Sequence, residues 1–194
     1  MPARPARERI LGAAAKRFAA DGIAATGIDA IVAEAGVAKM SLYNNFASKA
    51  ALVEAYIEAR HEELLSLYAL RVARATGPVD ACLAMFDAYL DHADSAPDAT
   101  FRGCGLFNAA AEFPSGDPAR ASVRDHKAEI EAMLRAHLAE ILDDTRAHEI
   151  AEHLTYVLEG AMARAGLDGR TERIANGRRI AAAILDAETT AVAA

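Results

Sequence analysis

Between Ala38 and Phe46 the chain reads AKMSLYNNF, which brings together an ammonium (Lys39), a hydroxyl (Ser41), a phenol (Tyr43) and two carboxamides (Asn44, Asn45). Leu42 and Phe46, four apart, give a short helix its inward face and leave the polar groups and Met40 pointing away. A surface helix built only to stay wet carries Glu/Lys pairs. This one carries groups that hydrogen-bond phosphates and base edges: Lys and Tyr to the backbone, Asn bidentate to adenine, Ser to either.

Other constellations fall short of chemistry. HEIAEH, His148 to His153, lacks the second histidine four residues after the first, because Glu152 stands there. His148 with Glu152, or Glu149 with His153, has metal-ligand spacing, but the same spacing serves solvated pairs on a helix surface, so no metal is expected. Asp143-Asp144 marks a helix boundary. GCG, Gly103 to Gly105, is a lone glycine pair with no strand before it. With no nucleophile elbow, phosphate loop or Cys/His pairing, neither an enzyme nor a cofactor is expected.

The elements that position the Lys39–Asn45 cluster are legible on either side. Ile28, Ile31, Val32 and Ala35 form one face of a preceding helix, with Thr26 and Asp29 spaced like a capping box and Gly36 as its stop. Ser48 is a ready N-cap for the helix that follows. Ahead of both, a helix over about Ala6–Ala20 turns Ile10, Ala14 and Phe18 inward. These three helices make a helix-turn-helix head with Ala38 to Asn45 as its recognition helix. The segment Met1 to Arg7, with two prolines and two arginines, reads either as a basic arm reaching into a minor groove or as a terminus with no role.

The run TGIDAIVAEAGVAKMSLYNNFASKAAL resembles the DNA-binding signature of the TetR/AcrR family of bacterial transcriptional regulators. The resemblance covers about Arg7 to Tyr56. It implies that Lys39, Met40, Ser41, Tyr43, Asn44 and Asn45 face the groove and that Tyr43 and Lys49 contact phosphates; Thr26 completes the expected DNA-binding set. Met40 and Ala38 stand where the family often has glycine and serine.

The rest of the chain reads as helical body. Composition is 53% hydrophobic with 6% aromatic, rich in alanine, and no segment sustains period-2 alternation, so the protein is expected to be all-α. The expected domains are 1–47, the DNA-binding head, and 48–194, a ligand-binding and dimerisation body. A helix from Ser48 towards Gly77-Pro78 is the expected rigid connector between them. Residues 1–49 hold seven Lys/Arg against four Asp/Glu, so the remainder carries −10 of a net −7: a basic head on an acidic body. Cys82 and Cys104, with no signal peptide and no long apolar run, point to the cytoplasm and away from a membrane; a redox pair remains conceivable.

Within the body, Pro78 to about His92 reads as a helix, Asp94 to Asp98 as a loop, and FRGCGLFNAAAEFP, Phe101 to Pro114, as a segment unsuited to a regular exposed helix. That segment is read two ways: the aromatic wall of a small-molecule pocket, or an irregular core crossover. The pocket reading draws on Phe86, Tyr89, Phe101, Cys104, Phe107, Asn108, Phe113 and Tyr156. Asp117-Pro118 starts a helix to about Leu142. Two further helices carry Leu154, Leu158 and Met162, then Ile174, Ile180 and Ile184. Their stripes are either satisfied within one chain or, as the resemblance implies, form a four-helix interface with a second copy.

The expected function is a homodimeric regulator that binds double-stranded DNA at a palindromic operator, most simply a repressor released by an unidentified small-molecule effector. The alternative is an all-α small-molecule carrier without DNA function.

Overall fold

The computed structural model describes residues 5–94 and 101–193, with side chains to residue 191. Most of the expected Met1–Arg7 arm and of the Asp94–Asp98 loop lies outside the described residues. Among the described residues the fold is all-α, with nine helices and no strand. It divides into two compact units: Met1–His61 with Gly105–Arg124, and Glu62–Cys104 with Asp125–Ala194.

In the first unit, α1 (Ala6–Asp21), α2 (Ile28–Ala35) and α3 (Lys39–Asn45) pack on one another and lead into α4 (Lys49–Val72). Ile10, Phe18, Ile31, Leu42, Phe46 and Leu52 are buried, the periodic apolar residues that the sequence aligns. Phe18 meets Tyr56 of α4 edge-on at 5.4 Å between ring centroids. The expected capping box at α2 does not form. Gly27 is the N-cap with no side-chain bond, and Thr26 turns back to donate its hydroxyl to the Gly22 carbonyl at 2.6 Å. Ser48 does cap α4, its oxygen accepting from the Ala51 N–H at 3.1 Å.

The same unit takes in residues 105–124. Within the segment expected to be irregular, Gly105–Ala111 forms a short helix, α6, and buries Leu106 and Ala109. Asp117 then accepts the Ala119 N–H at 2.9 Å and opens α7 (Pro118–Leu138). The chain passes between the units within α4, at Cys104–Gly105 and within α7, so the expected connector α4 is one of three crossings.

The second unit is a helical core. Phe86, Met85 and Cys82 of α5 (Pro78–Asp94), Ile130, Leu134 and Leu138 of α7, and Ile150, Leu154, Leu158 and Met162 of α8 (Asp144–Asp168) close it together with Ile174, Ala181 and Leu185 of α9 (Glu172–Ala193). Helices α8 and α9 pack closely because Gly177 has no side chain: a Cβ there would lie 2.7 Å from the Cβ of Ala161. Gly166 serves the segment before α6 in the same way, since a Cβ there would come within 2.4 Å of the Gly103 nitrogen.

Candidate nucleic-acid interface and ligand site

The α3 cluster is held from three sides. Gly36 ends α2 in the left-handed conformation, φ 61°, and Arg9 of α1 donates to the freed carbonyls of Ala35 and Gly36 at 2.6 and 2.7 Å. Leu42 and Phe46 are buried beneath α3, and the guanidinium of Arg7 lies 5.2 Å from the Phe46 ring centroid. The turn therefore has fixed geometry, and α3 offers its outer face to solvent. Met40 is 69% exposed and Tyr43 44% exposed, with Asn44 and Asn45 exposed beside them and Ser41 half-buried.

Several of the expected contact groups already have protein partners. Lys39 pairs with Asp29 at 2.8 Å, which holds its pKa above the ordinary lysine value. Asn45 donates to the Ser41 carbonyl at 2.8 Å, and Lys49 to the Ile23 carbonyl at 2.6 Å. Thr26 requires a correction. It is 2% exposed, with its hydroxyl turned into the head, so its role is to brace the α1–α2 loop rather than to touch DNA.

In the second unit the expected pocket residues separate. Phe86 is a core residue with no exposure, and Phe101 and Cys104 pack at the edge of that core. Tyr156 is a second correction: it is 63% exposed on α8, its hydroxyl donating to Glu152. Phe107, Asn108 and Phe113 belong to the first unit. Tyr89 and Cys104 do converge, on a residue that the sequence reading passed over. The Lys127 ammonium lies 2.6 Å from Glu159 Oε1, 3.1 Å from Tyr89 Oη and 3.5 Å from Cys104 Sγ.

Lys127 and Glu159 are 12% and 16% exposed, so the pair is largely desolvated. Burial raises the Glu159 pKa above the usual carboxylate value, against the pull of Lys127. Burial opposes the charge on Lys127, yet its neighbours keep its pKa above the ordinary value. A signal was available in the sequence. Lys127 falls on the Val123, Ile130, Leu134 stripe of α7, and Glu159 on the Thr155, Met162 stripe of α8, one charge of each sign where core residues belong.

The expected dimer residues are corrected in part. Leu154, Leu158 and Ile174 have no exposure and Met162 has 1%, so all four are spent on the core of one chain. Ile180 is 55% exposed and Ile184 partly exposed. Among the described residues no group of three or more His, Cys, Asp or Glu could hold a metal ion. In the HEIAEH stretch, Glu149 is paired with Arg146 and Glu152 accepts from Tyr156. Among the described residues no helix is long and apolar enough to cross a membrane.

A helix-turn-helix with a polar, outward-facing second helix, followed by a larger helical unit, defines a DNA-binding regulator. Residues 10–56 match the model for bacterial regulatory proteins of the tetR family, and residues 78–181 match the tetracyclin repressor-like C-terminal domain. The chain belongs to the TetR family: it is a transcriptional regulator with an N-terminal DNA-binding domain, and not an enzyme. It is similar to the crystal structure of a TetR-family transcriptional regulator from Streptomyces coelicolor, at 29% identity and a TM-score of 0.80 over 91% of this chain and 94% of that one. A TetR transcriptional regulator from Chloroflexus aurantiacus is 25% identical, with a TM-score of 0.78 over 93% and 94% of the two chains. One from Legionella pneumophila, at 19% identity and a TM-score of 0.79 over 93% and 97%, shares the fold. No curated protein matches the chain in sequence.

Proposed function

We propose that this regulator is a homodimeric repressor acting in the cytoplasm, which binds a palindromic operator through two copies of α3 and leaves it when a small molecule binds in the helical body. The observation that carries the reading is the outer face of α3. Met40, Tyr43, Asn44 and Asn45 stand exposed on a helix fixed by the Arg9 and Gly36 contacts, within the residues that match the family's DNA-binding model. Tyr43, Asn44 and Asn45 supply phosphate and base contacts, Met40 supplies an apolar surface for a thymine methyl, and Lys39 and Lys49 add charge at the rim. Two-fold symmetry would set the half-sites about 34–36 Å apart. Ile180 and Ile184, with the outer face of α8, are the proposed dimer surface. An effector that favours one dimer geometry by about 1–3 kcal/mol changes occupancy roughly 5- to 150-fold.

The test is selection of bound sequences from a random duplex library by the purified chain at moderate salt. A palindromic consensus supports the reading and supplies an operator for effector screening. A folded dimer that enriches no sequence and shows no salt-dependent DNA affinity would sink it in favour of a carrier.

A further inference from the structure

The Lys127–Glu159 pair has one unused hydrogen-bond acceptor, and its position selects a ligand class. Glu159 Oε1, the Tyr89 hydroxyl and the Cys104 sulfur stand around the Lys127 ammonium. The ammonium also lies 5.2 Å from the centroid of the Tyr89 ring. Glu159 is different. Its Oε1 takes the Lys127 contact, while its Oε2 is buried with no hydrogen-bond partner. A carboxylate oxygen in that state forfeits the hydration it had in the unfolded chain and gains nothing in return. Tyr89 and Cys104, the two other groups at the pair, are an aromatic ring and a thiol, and Cys104 packs at the core edge. Lys127 and Glu159 retain 12% and 16% side-chain exposure, while Oε2 itself is buried.

Building on the reading of the body as effector-binding, we infer that Glu159, held by Lys127, is the polar anchor of the effector site and takes a neutral ligand that donates a hydroxyl to Oε2, of the class of phenols. An anion is disfavoured because the Lys127 ammonium is already committed and Glu159 repels negative charge. A cation is disfavoured because Lys127 already neutralises Glu159 and would stand close to any second positive charge. A hydroxyl on an apolar or aromatic frame meets both conditions, and the Tyr89 ring suits the frame. Cys104 is placed here by the backbone: Gly103, at φ 86°, packs against α8 where Gly166 leaves room.

The experiment uses the full chain and matched pairs that differ only in the donor: phenol and anisole, 4-propylphenol and 4-propylanisole, 2-naphthol and 2-methoxynaphthalene. Binding is measured by titration calorimetry, and operator release by fluorescence anisotropy. At least one hydroxyl compound should bind, with its ether weaker by roughly 10- to 100-fold, the range for a hydrogen bond to a charged group. Glu159→Leu alone would strand a buried lysine, so the informative variant is Lys127→Met with Glu159→Leu, which removes both charges together. In that variant, checked for fold by circular dichroism and for operator binding, hydroxyl and ether should bind alike.

Equal binding of each pair by the native protein, no binding of any hydroxyl member, or a preference that survives in the double variant overturns the site. The two readouts separate the claims. Glu159-dependent binding without operator release keeps the site and refutes the effector reading. Release by other compounds, with the phenols inert, keeps the effector reading and refutes the site.

Discussion

The Glu112 carboxylate accepts the backbone N–H of Ile23 through Oε1 at 2.8 Å, and its second oxygen accepts that of Ala24 at 2.6 Å. One side chain, just beyond α6, thereby satisfies two successive donors of the loop that carries α1 into the helix-turn-helix. Gly22 begins that loop at φ 87°, and a Cβ there would stand 3.0 Å from Glu112 Oε1. Lys49 and Thr26 tie down the loop's carbonyls, at Ile23 and Gly22. The loop's N–H groups are thus bonded from outside it by Glu112, and its carbonyls by Lys49 from outside and Thr26 from within.

Glu112→Ala should lower head stability by about 1–2 kcal/mol, because two charge-assisted bonds are lost at an exposed site. Hydrogen exchange at the Ile23 and Ala24 amides should accelerate, and the melting temperature should fall by roughly 2–6 °C. Glu112→Gln retains one acceptor and should lose less. Unchanged exchange at both amides would refute the bracing role.

On the proposed reading of α3, Asp29 competes with DNA for Lys39. The two are paired at 2.8 Å with side chains 54% and 82% exposed, a geometry worth little to stability. Asp29→Asn should leave the melting temperature nearly unchanged. It should raise affinity for duplex DNA several-fold at low salt and steepen the dependence of log K on log salt by up to about one unit, as one more phosphate is neutralised. Anisotropy titrations at several salt concentrations measure both. A weaker complex would show that Asp29 is needed to orient Lys39.

Gly166 is a position where space alone decides. A Cβ would meet the Gly103 nitrogen at 2.4 Å and the Arg102 carbonyl carbon and oxygen at 2.5 and 2.6 Å, all backbone atoms that cannot rotate away. Gly166→Ala should cost about 2–4 kcal/mol, near the upper end for overpacking. Gly160 has open space, and Gly160→Ala should be neutral or slightly stabilising through helix propensity. Denaturant midpoints of the two variants make the comparison internal.

The sequence was most informative where local chemistry and long-range packing agree. Gly36, Ser48 and Asp117-Pro118 place helix boundaries because a cap or a left-handed glycine is decided by residues close in the chain. The outward groups of α3 were legible because Leu42 and Phe46 fix its inner face. Partner choice was not legible. The stripe of Leu154, Leu158 and Met162 is equally suited to a core or to a second copy, and only the packing of α5, α7 and α9 assigns it to the core. Phe101 to Pro114 looked irregular because its glycines and phenylalanines have poor helix propensity, yet burial of Leu106 and Ala109 sustains two turns. Lys127 and Glu159 were missed because only the apolar residues of their helices were followed, and their meaning lies in facing each other.

Acid should weaken the second unit through Glu188. Arg146 donates to both Glu188 oxygens, at 2.7 and 2.5 Å, and holds the carboxyl below its ordinary value of 4.5. A depressed carboxyl contributes stability that is complete above the unfolded value and is lost as pH falls through the folded one. The loss therefore begins near pH 4.5 and continues below it. Glu188→Gln should be less stable than the native protein at pH 7, by about 1 kcal/mol or less, and the difference should shrink as pH falls below 4.5. A difference that stays constant across that range would mean the pair acts through packing and not through charge.

The outer faces of α8 and α9 expose apolar side chains in register. Tyr156, Gly160, Ala163 and Leu167 follow one another at i, i+4, i+7 and i+11 along α8, and all four are exposed; Leu167 is 79% exposed. On α9, Ile180 at 55% exposure continues with Ala183. Large apolar side chains interleaved with glycine and alanine let helices of a second copy approach closely. Ile180→Arg should raise the dimer dissociation constant at least about 30-fold, as expected for loss of a central apolar anchor, and leave far-ultraviolet circular dichroism unchanged. Leu154→Ala provides the contrast. It should cost about 2–5 kcal/mol of stability as a core cavity, with any loss of dimer following from unfolding. Sedimentation velocity over a concentration series distinguishes the two. If Ile180→Arg stays as dimeric as the native chain, the partner surface lies elsewhere and the α8–α9 face is an ordinary solvated one.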